Sequence, residues 1–378
     1  MIDLKDKESQ KQVAVFSAAV FIAVLIFLIG FIDFGSVTYS KQPNGDVVME
    51  GAATSTPSEV AAIPSWPPVL DTKTYDERML SLARYLPSTT TPLIYSSTTN
   101  VTIKGKSWPT AAAYPNGGAI LPFKRILAFY GNLYSVRMGI LGELPPAEML
   151  AKLAKTKAEW EAADPTTPVM PAIEYIAIVA QADAGRDGLY KSVMPDSEID
   201  KAYALAKQAN GILILDVQVG KSTIQAELPH FQHYLEQPDV HFAIDPEFSM
   251  KSGDAPGMVV GTYDAADINY VIDYLSKIVR DKQLPPKVLI IHRFTQNMVT
   301  RATAITPTPE VQVVMDMDGW GAGPNKIGTY NQFIAPYPVQ FTGIKLFYKN
   351  DLKPPSVGLL TPKQVLNLSP VPIYIQYQ

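Results

Sequence analysis

Short apolar runs recur along the chain from residue 126 onward, and segments with helical patterns separate them. Within most runs the apolar positions are continuous rather than alternating, which is typical of strands buried on both faces of a parallel sheet. The pattern predicts eight strands, at Ile126–Tyr130, Ala172–Ala180, Ile212–Val219, Val240–Ile244, Lys287–His292, Val311–Met317, Gln340–Phe347 and Pro372–Gln376.

The intervening segments predict helices that cover this sheet. Eight strand–helix units in roughly 250 residues fit a closed barrel better than an open doubly wound sheet. We therefore predict an α/β fold in which residues 123–378 form a (β/α)8 TIM-like barrel. The stretch Thr295–Arg301 is short for a helix. The predicted helices are Pro146–Ala163, Asp196–Asn210, Thr223–Glu236, Asp264–Lys282, Asn325–Ile334 and Thr361–Leu368.

Val13–Ile32 is a run of twenty apolar or small residues without charge. As a helix it would be ~30 Å long, enough to cross a bilayer. Three lysines precede the run and Asp33 follows it, so the positive-inside rule places the N-terminus in the cytoplasm. This predicts a cytoplasmic tail at 1–12 and a single-pass transmembrane signal anchor at 13–33, with the C-terminal domain outside the cell membrane. A cleaved signal peptide is the alternative, but Gly35–Ser40 contains no convincing cleavage site.

The segment between the anchor and the barrel differs from both in composition. Residues 34–122 are rich in Ser, Thr, Pro, Ala and Gly and show little periodicity. Such a composition predicts a disordered tether and an N-terminal extension. One short amphipathic helix is predicted within it, at residues 75–86.

Composition and charge exclude several kinds of site. The chain has no cysteine, which rules out disulfides, thiolate metal sites and a cysteine nucleophile. A formal net charge of −4 provides no basic field for nucleic acid. Gly220–Thr223 copies the end of a phosphate-binding loop, but the first glycine of that loop would fall at Leu215, inside a predicted strand. We therefore predict no nucleic-acid partner, no nucleotide and no cofactor.

The fourth predicted strand ends in two carboxylates, Asp245 and Glu247, with a proline between them. Side chains two residues apart on a strand point to the same side, so each carboxyl would perturb the pKa of the other. In a (β/α)8 barrel the active site lies at the C-terminal ends of the strands. The pair is therefore the first candidate for catalysis.

Other polar residues stand at the ends of the remaining strands, and together with Asp245 and Glu247 they resemble the active-site residues of a glycosidase. Such an enzyme needs one protonated carboxyl beside the leaving oxygen and one ionised carboxylate that stabilises or attacks the sugar. We assign Glu247 as general acid, Asp245 as its electrostatic partner, and Asp216 or Asp318 as the second carboxylate. The predicted substrate-binding residues are Tyr130, Gln218, His292, Trp320, Lys345 and Tyr348.

Two alternatives use the same strand ends. In the first, these side chains form a satisfied polar network in a non-catalytic glycan-binding or envelope scaffold protein. In the second, Asp316, Asp318 and His292 serve a metal-dependent hydrolase. Asp316 and Asp318 are better explained as a hydrogen-bonding pair beside the turn that follows them, and His230 and His233 lack a third ligand. We therefore predict no metal site.

Asp245-Pro-Glu247 at the end of strand four resembles the Asp-x-Glu of muramidase-type and chitinase-like glycoside hydrolase barrels. In those families the glutamate is the proton donor and the aspartate assists it. The glycine-rich lead-in of chitinases is missing here, and the N-terminal catalytic aspartate of muramidases has no counterpart at Tyr130-Gly131. The segments GNLYS, LDVQVG, DPEFSM, HRFTQ, MDGWG and KLFYKND also resemble a group of uncharacterised bacterial envelope-anchored TIM-barrel proteins. That resemblance implies a localisation and a fold rather than a reaction.

Overall fold

The structure, a computed structural model, describes residues 66–84 and 91–378. Contacts divide the chain into units 1–62 and 63–378, and all described residues belong to the second unit. The predicted anchor Val13–Ile32 and the tether up to residue 65 lie outside the described residues. Within the described ranges, no helix is long and apolar enough to cross a membrane. The anchor and the membrane localisation therefore stay predictions.

Eight parallel strands form a closed barrel, as the apolar runs predicted. Each strand pairs with the next along the chain, and the last strand pairs with the first. The strand bounds differ from the predicted ones by a few residues at most. The strands are β1 Arg125–Gly131, β2 Val169–Ala180, β3 Ile212–Val217, β4 Val240–Ile244, β5 Lys287–Arg293, β6 Val311–Met317, β7 Phe341–Leu346 and β8 Tyr374–Tyr377.

Nine α-helical segments are found in the described ranges, and they lie before and between the strands. The helices are α1 Thr72–Ala83, α2 Ile140–Glu143, α3 Pro146–Ala163, α4 Asp196–Gln208, α5 Ile224–Glu227, α6 Gln232–Leu235, α7 Ala265–Lys282, α8 Gly323–Thr329 and α9 Pro362–Val365. Shorter elements are the 3₁₀ turns Leu228–Phe231, Pro246–Phe248, Gln296–Met298, Ala302–Ala304 and Asn350–Leu352, a π turn at Tyr330–Ile334, and short strands at Leu93–Ile94, Thr102–Ile103, Lys191–Val193, Tyr263–Asp264 and Val299–Thr300.

Two predicted helices are less regular than their sequence pattern indicated. The segment predicted as Thr223–Glu236 is split into α5, a 3₁₀ turn and α6. Pro229 stands at the start of that turn, where a proline has no N–H to continue the helical hydrogen bonds. The segment predicted as Asn325–Ile334 begins as α8 and ends in the π turn.

The N-terminal extension covers one end of the barrel. Its apolar side chains, including Tyr75 and Met79 of α1, share a core with the residues that fill the barrel interior. The indole nitrogen of Trp108 donates to the carbonyl of Gln340 at 3.1 Å. The Gln312 side chain accepts from the Leu121 N–H and donates to the Leu121 carbonyl. Gln312 and Gln340 stand at the N-terminal ends of β6 and β7. The extension therefore closes the N-terminal end of the barrel, whereas it does not cover the C-terminal ends of the strands, where a functional site is expected.

Candidate active site

The C-terminal ends of the strands surround a cavity of about 520 Å³. Its floor and walls include six of the predicted site residues, which come from β1, β7 and the turns after β3, β4 and β6. Trp320 stands at its rim with 61% of its surface exposed. The polar lining residues predicted from the sequence are Tyr130, Gln218, Asp245, Glu247, Asp318 and Lys345.

Beneath the cavity lies a buried layer centred on His292 of β5. The imidazole Nδ1 is 3.2 Å from Asp316 Oδ2 and 3.4 Å from Asp318 Oδ2. Its Nε2 is 3.4 Å from Glu174 Oε1 and 3.9 Å from Asp216 Oδ1. Burial by itself lowers the pKa of His292, but the hydrogen bond to Asp316 and the surrounding carboxylates outweigh it and raise the pKa well above its usual range. His292 is therefore an imidazolium within a ring of carboxyls.

The deep carboxyls are held by neighbours within the barrel. The Tyr130 hydroxyl donates to Asp216 Oδ2 at 2.7 Å, and the Tyr374 hydroxyl donates to Glu174. Burial raises the pKa of Asp216 to about 6, against the opposing attraction of His292. Burial likewise raises the pKa of Asp316 to about 6. Glu174, Asp216 and Asp316 are fully buried and do not line the cavity.

Asp318 belongs to both layers because it faces His292 below and the cavity above. Lys345 Nζ is 3.0 Å from Asp318 Oδ1 and lies 3.8 Å from the centre of the Tyr130 ring. Burial lowers the pKa of Lys345, but Asp318 and Asp245 outweigh this effect and raise it. The cavity lining therefore includes an ion pair between Asp318 and Lys345.

Asp245 and Glu247 are together at the cavity, although not as two positions of one strand. The strand ends at Ile244, and Glu247 lies in the 3₁₀ turn that Asp245 caps by accepting from the Glu247 N–H at 3.0 Å. Gln218 Nε2 donates to Asp245 Oδ2 at 3.3 Å. Burial raises the pKa of Asp245 well above its usual range, and His292 opposes the shift.

Glu247 differs from the other carboxyls of the site because its carboxyl has no bonding partner among the described residues. No hydrogen-bond or ion-pair partner of its carboxyl is found within residues 66–84 and 91–378. Burial, followed by the negative charge of Asp318, raises the pKa of Glu247 to about 7. Glu247 is thus an available carboxyl at the cavity that retains a proton near neutral pH.

Three predicted site residues lie elsewhere than in the cavity wall. Asp216 and His292 belong to the buried layer, because their inward positions are one step below the strand ends. Tyr348 stacks on Tyr377 with ring centres 5.1 Å apart, and Lys152 Nζ lies 3.6 Å from its ring centre. Tyr348 thus packs between the outer face of the barrel and α3, away from the cavity.

The sequence analysis missed other residues of the site. Glu174 is an acid inside an otherwise apolar strand, two residues after the inward-facing Ala172, and that spacing could have identified it. Arg137 lines the cavity from the loop after β1, where no sequence pattern marks it. The aromatic wall also includes side chains from three loops, Phe248, Phe294 and Phe347.

Within the described ranges, no group of three or more His, Cys, Asp or Glu side chains is arranged to hold a metal ion. No family model matches the chain, and no curated protein matches it either. The resemblance to envelope-anchored proteins therefore stays a prediction. Among solved structures, the chain is similar to a GH36 alpha-galactosidase from Geobacillus stearothermophilus in complex with 1-deoxygalactonojirimycin, with a TM-score of 0.33 and 10% identity. The match covers 68% of this chain and 39% of that chain.

Proposed function

We propose that the chain is a membrane-tethered, extracytoplasmic glycoside hydrolase that acts on an envelope or extracellular glycan, with Glu247 as its general acid. The observation that carries the proposal is the Glu247 carboxyl, which faces the cavity without a partner within the described residues and has a pKa raised to about 7. A general acid works best when its pKa is near the working pH. Glu247 therefore meets both the geometric and the chemical requirement.

The second carboxylate of the proposed mechanism is Asp318. The oxocarbenium-like transition state needs an ionised carboxylate beside the sugar. Asp318 lines the cavity, with one carboxyl oxygen beside Lys345 and the other beside His292. Asp216, the other sequence candidate, is sealed beneath the floor and cannot touch a substrate without rearrangement. We therefore assign Asp216 an electrostatic role through His292.

The shape and lining of the cavity suit a sugar. A volume of about 520 Å³ is within the range of small-molecule sites. Trp320 offers an exposed ring face at the rim, and Gln218 and Tyr130 bring polar groups to the floor. The placement outside the cytoplasm depends on Val13–Ile32, whose length and lack of charge support a membrane anchor.

The decisive experiment compares the full chain, in detergent micelles, with its Glu247→Gln variant on peptidoglycan, chitin-type and exopolysaccharide substrates. Glutamine has nearly the same shape but cannot supply the proton, so we expect turnover to fall by about 10²–10⁴-fold while glycan binding is retained. Glu148→Gln, an exposed position on α3, is the matched control and should keep full activity.

Three outcomes separate the candidate functions. Retained turnover in Glu247→Gln would reject Glu247 as general acid. Binding without cleavage across the panel would favour the non-catalytic glycan-binding alternative. Loss of folding in Glu247→Gln would show that this carboxyl is structural.

A further inference from the structure

A second, smaller hollow of about 100 Å³ adjoins the cavity. The two share three lining residues, Arg137, Phe347 and Gln378. Because the same side chains form the wall of both, a ligand longer than one sugar could occupy the cavity and the hollow together. The hollow is therefore a candidate subsite of the larger site.

The loop that carries Arg137 is fixed on both sides. Asn132 Nδ2 donates to the carbonyl of Ile176 in β2 at 3.0 Å, and Gln378 Nε2 donates to a loop carbonyl at 3.3 Å. Gly139 has a φ of +141°, and a Cβ there would clash with a carbonyl of β1, so the loop backbone lies directly against the strand. Arg137 thus starts from a rigid backbone, which reduces the entropy lost when it binds a ligand.

The charges of the hollow leave one cation without a partner. Lys349 Nζ is 2.9 Å from Glu143 Oε2, so the acid that lines the hollow is already neutralised. No carboxylate pairs with the Arg137 guanidinium in the part of the chain that the structure describes. The charged residues that line the hollow are therefore two cations and one acid, although the whole chain has a net charge of −4.

The cavity floor is lined by carboxyl groups and lacks an unpaired cation among its described residues. Asp245, Glu247 and Asp318 stand there, and Lys345 is the one buried amine among the residues that line the cavity. An anionic group on the floor would lie beside the Asp318 carboxyl, whereas in the hollow it would face Arg137. The separation of charge between floor and hollow would thus fix the direction in which a charged glycan lies.

We propose that the hollow is a subsite for an anionic substituent, so that the substrate is an acidic glycan whose carboxylate or sulfate pairs with Arg137. A guanidinium presents parallel N–H donors that match such a group in a bidentate way. The inference depends on the proposed function, since it names the class of glycan that the same site accepts.

The test measures binding by calorimetry with the full chain in detergent micelles. The probes are a uronic-acid oligosaccharide, its carboxyl-reduced neutral counterpart and a sulfated oligosaccharide of the same length. We expect an acidic probe to bind at least about tenfold more tightly than the neutral one, as for a charge-assisted hydrogen-bonded pair. The advantage should shrink as salt is added. The uronic and sulfated probes distinguish the two sources of the negative charge.

Arg137→Gln should remove the advantage of the acidic probe over the neutral one. Arg137→Lys should retain part of it, because lysine keeps the charge without the fork. Arg280→Gln, on the outer helix α7, is the matched control and should change neither. Equal binding of acidic and neutral probes, or an equal loss of both in Arg137→Gln, would overturn the subsite. Absence of binding by every probe would instead reject the glycan function itself and the subsite with it.

Discussion

Asp216 lies at the centre of the barrel, and its titration makes a strong prediction about stability. Its carboxyl is fully buried, accepts a hydrogen bond from the Tyr130 hydroxyl and faces His292. The perturbation is Asp216→Asn, which keeps an oxygen for Tyr130 and nearly the same volume but removes the ionisable proton. Any pH-independent effect of the substitution is the same at every pH, so the difference between the two proteins isolates the carboxyl.

The magnitude follows from the pKa, which burial raises from 3.8 to about 6. Well below pH 3.8 the carboxyl is protonated in both states and contributes nothing. Between pH 4 and 6 the unfolded chain releases the proton while the folded protein retains it, so the stability of the wild type falls as pH rises. A shift of about two pKa units corresponds to roughly 3 kcal/mol. The attraction of His292 opposes the shift and is already contained in it.

The assay is urea unfolding followed by tryptophan fluorescence at a series of pH values from 4 to 8. We expect the free energy of unfolding of Asp216→Asn, relative to the wild type, to increase by about 3 kcal/mol between pH 4 and pH 7 and then stay constant. Asp254→Asn, at an exposed position, is the control for a general effect of charge. Parallel stability curves for Asp216→Asn and wild type would refute the reasoning. A relative loss of stability above pH 6 would mean that Asp216 is a net stabilising partner of His292.

Two further substitutions test the layers of the site. Gly343→Ala should lower the free energy of unfolding by about 1–3 kcal/mol, because a Cβ there would lie 2.6 Å from Asp316 Oδ1 and 2.7 Å from the Tyr374 ring. Gly328→Ala, with no atom within 4 Å of its Cβ, is its control, and equal effects in urea unfolding would contradict the packing argument. Trp320→Ala should weaken glycan binding about tenfold in calorimetry without lowering the melting temperature, because a group stacked on an exposed aromatic ring gains roughly 1–3 kcal/mol. A large drop in melting temperature would place Trp320 in the core instead.

The barrel could be predicted because its signal is local and repeated. Buried parallel stretches such as Ile126–Tyr130 are apolar throughout, and most strands are followed by a segment of helical pattern. The polar strand ends then converge at one end because all eight strands run in the same direction. The depth of each side chain could not be predicted in the same way. It depends on the stagger between neighbouring strands, which places His292 beside Asp316 below the floor while Asp318 reaches the cavity.

Other features depend on contacts that have no local pattern. The turn at Pro246–Phe248 takes Glu247 out of the strand, because Asp245 caps that turn instead of continuing the ladder. Tyr348 follows β7 just as a site residue would, yet the strand alternation directs it to the outer face against Tyr377. The position of Arg137 depends on a loop that is anchored by residues far away in sequence.

The two layers explain why a glutamate at the cavity can keep its proton. Six carboxyls meet two cations in this part of the described barrel, His292 in the deep layer and Lys345 at the floor. Two positive charges cannot balance six negative ones in a buried space, so protons must remain on some of the carboxyls. Each cation already lies close to other carboxyls, whereas Glu247 is partly buried without a partner among the described residues and lies near the negative charge of Asp318. The proton retained by Glu247 is therefore a property of the whole ring of strand ends, and it depends on side chains that never touch the ligand.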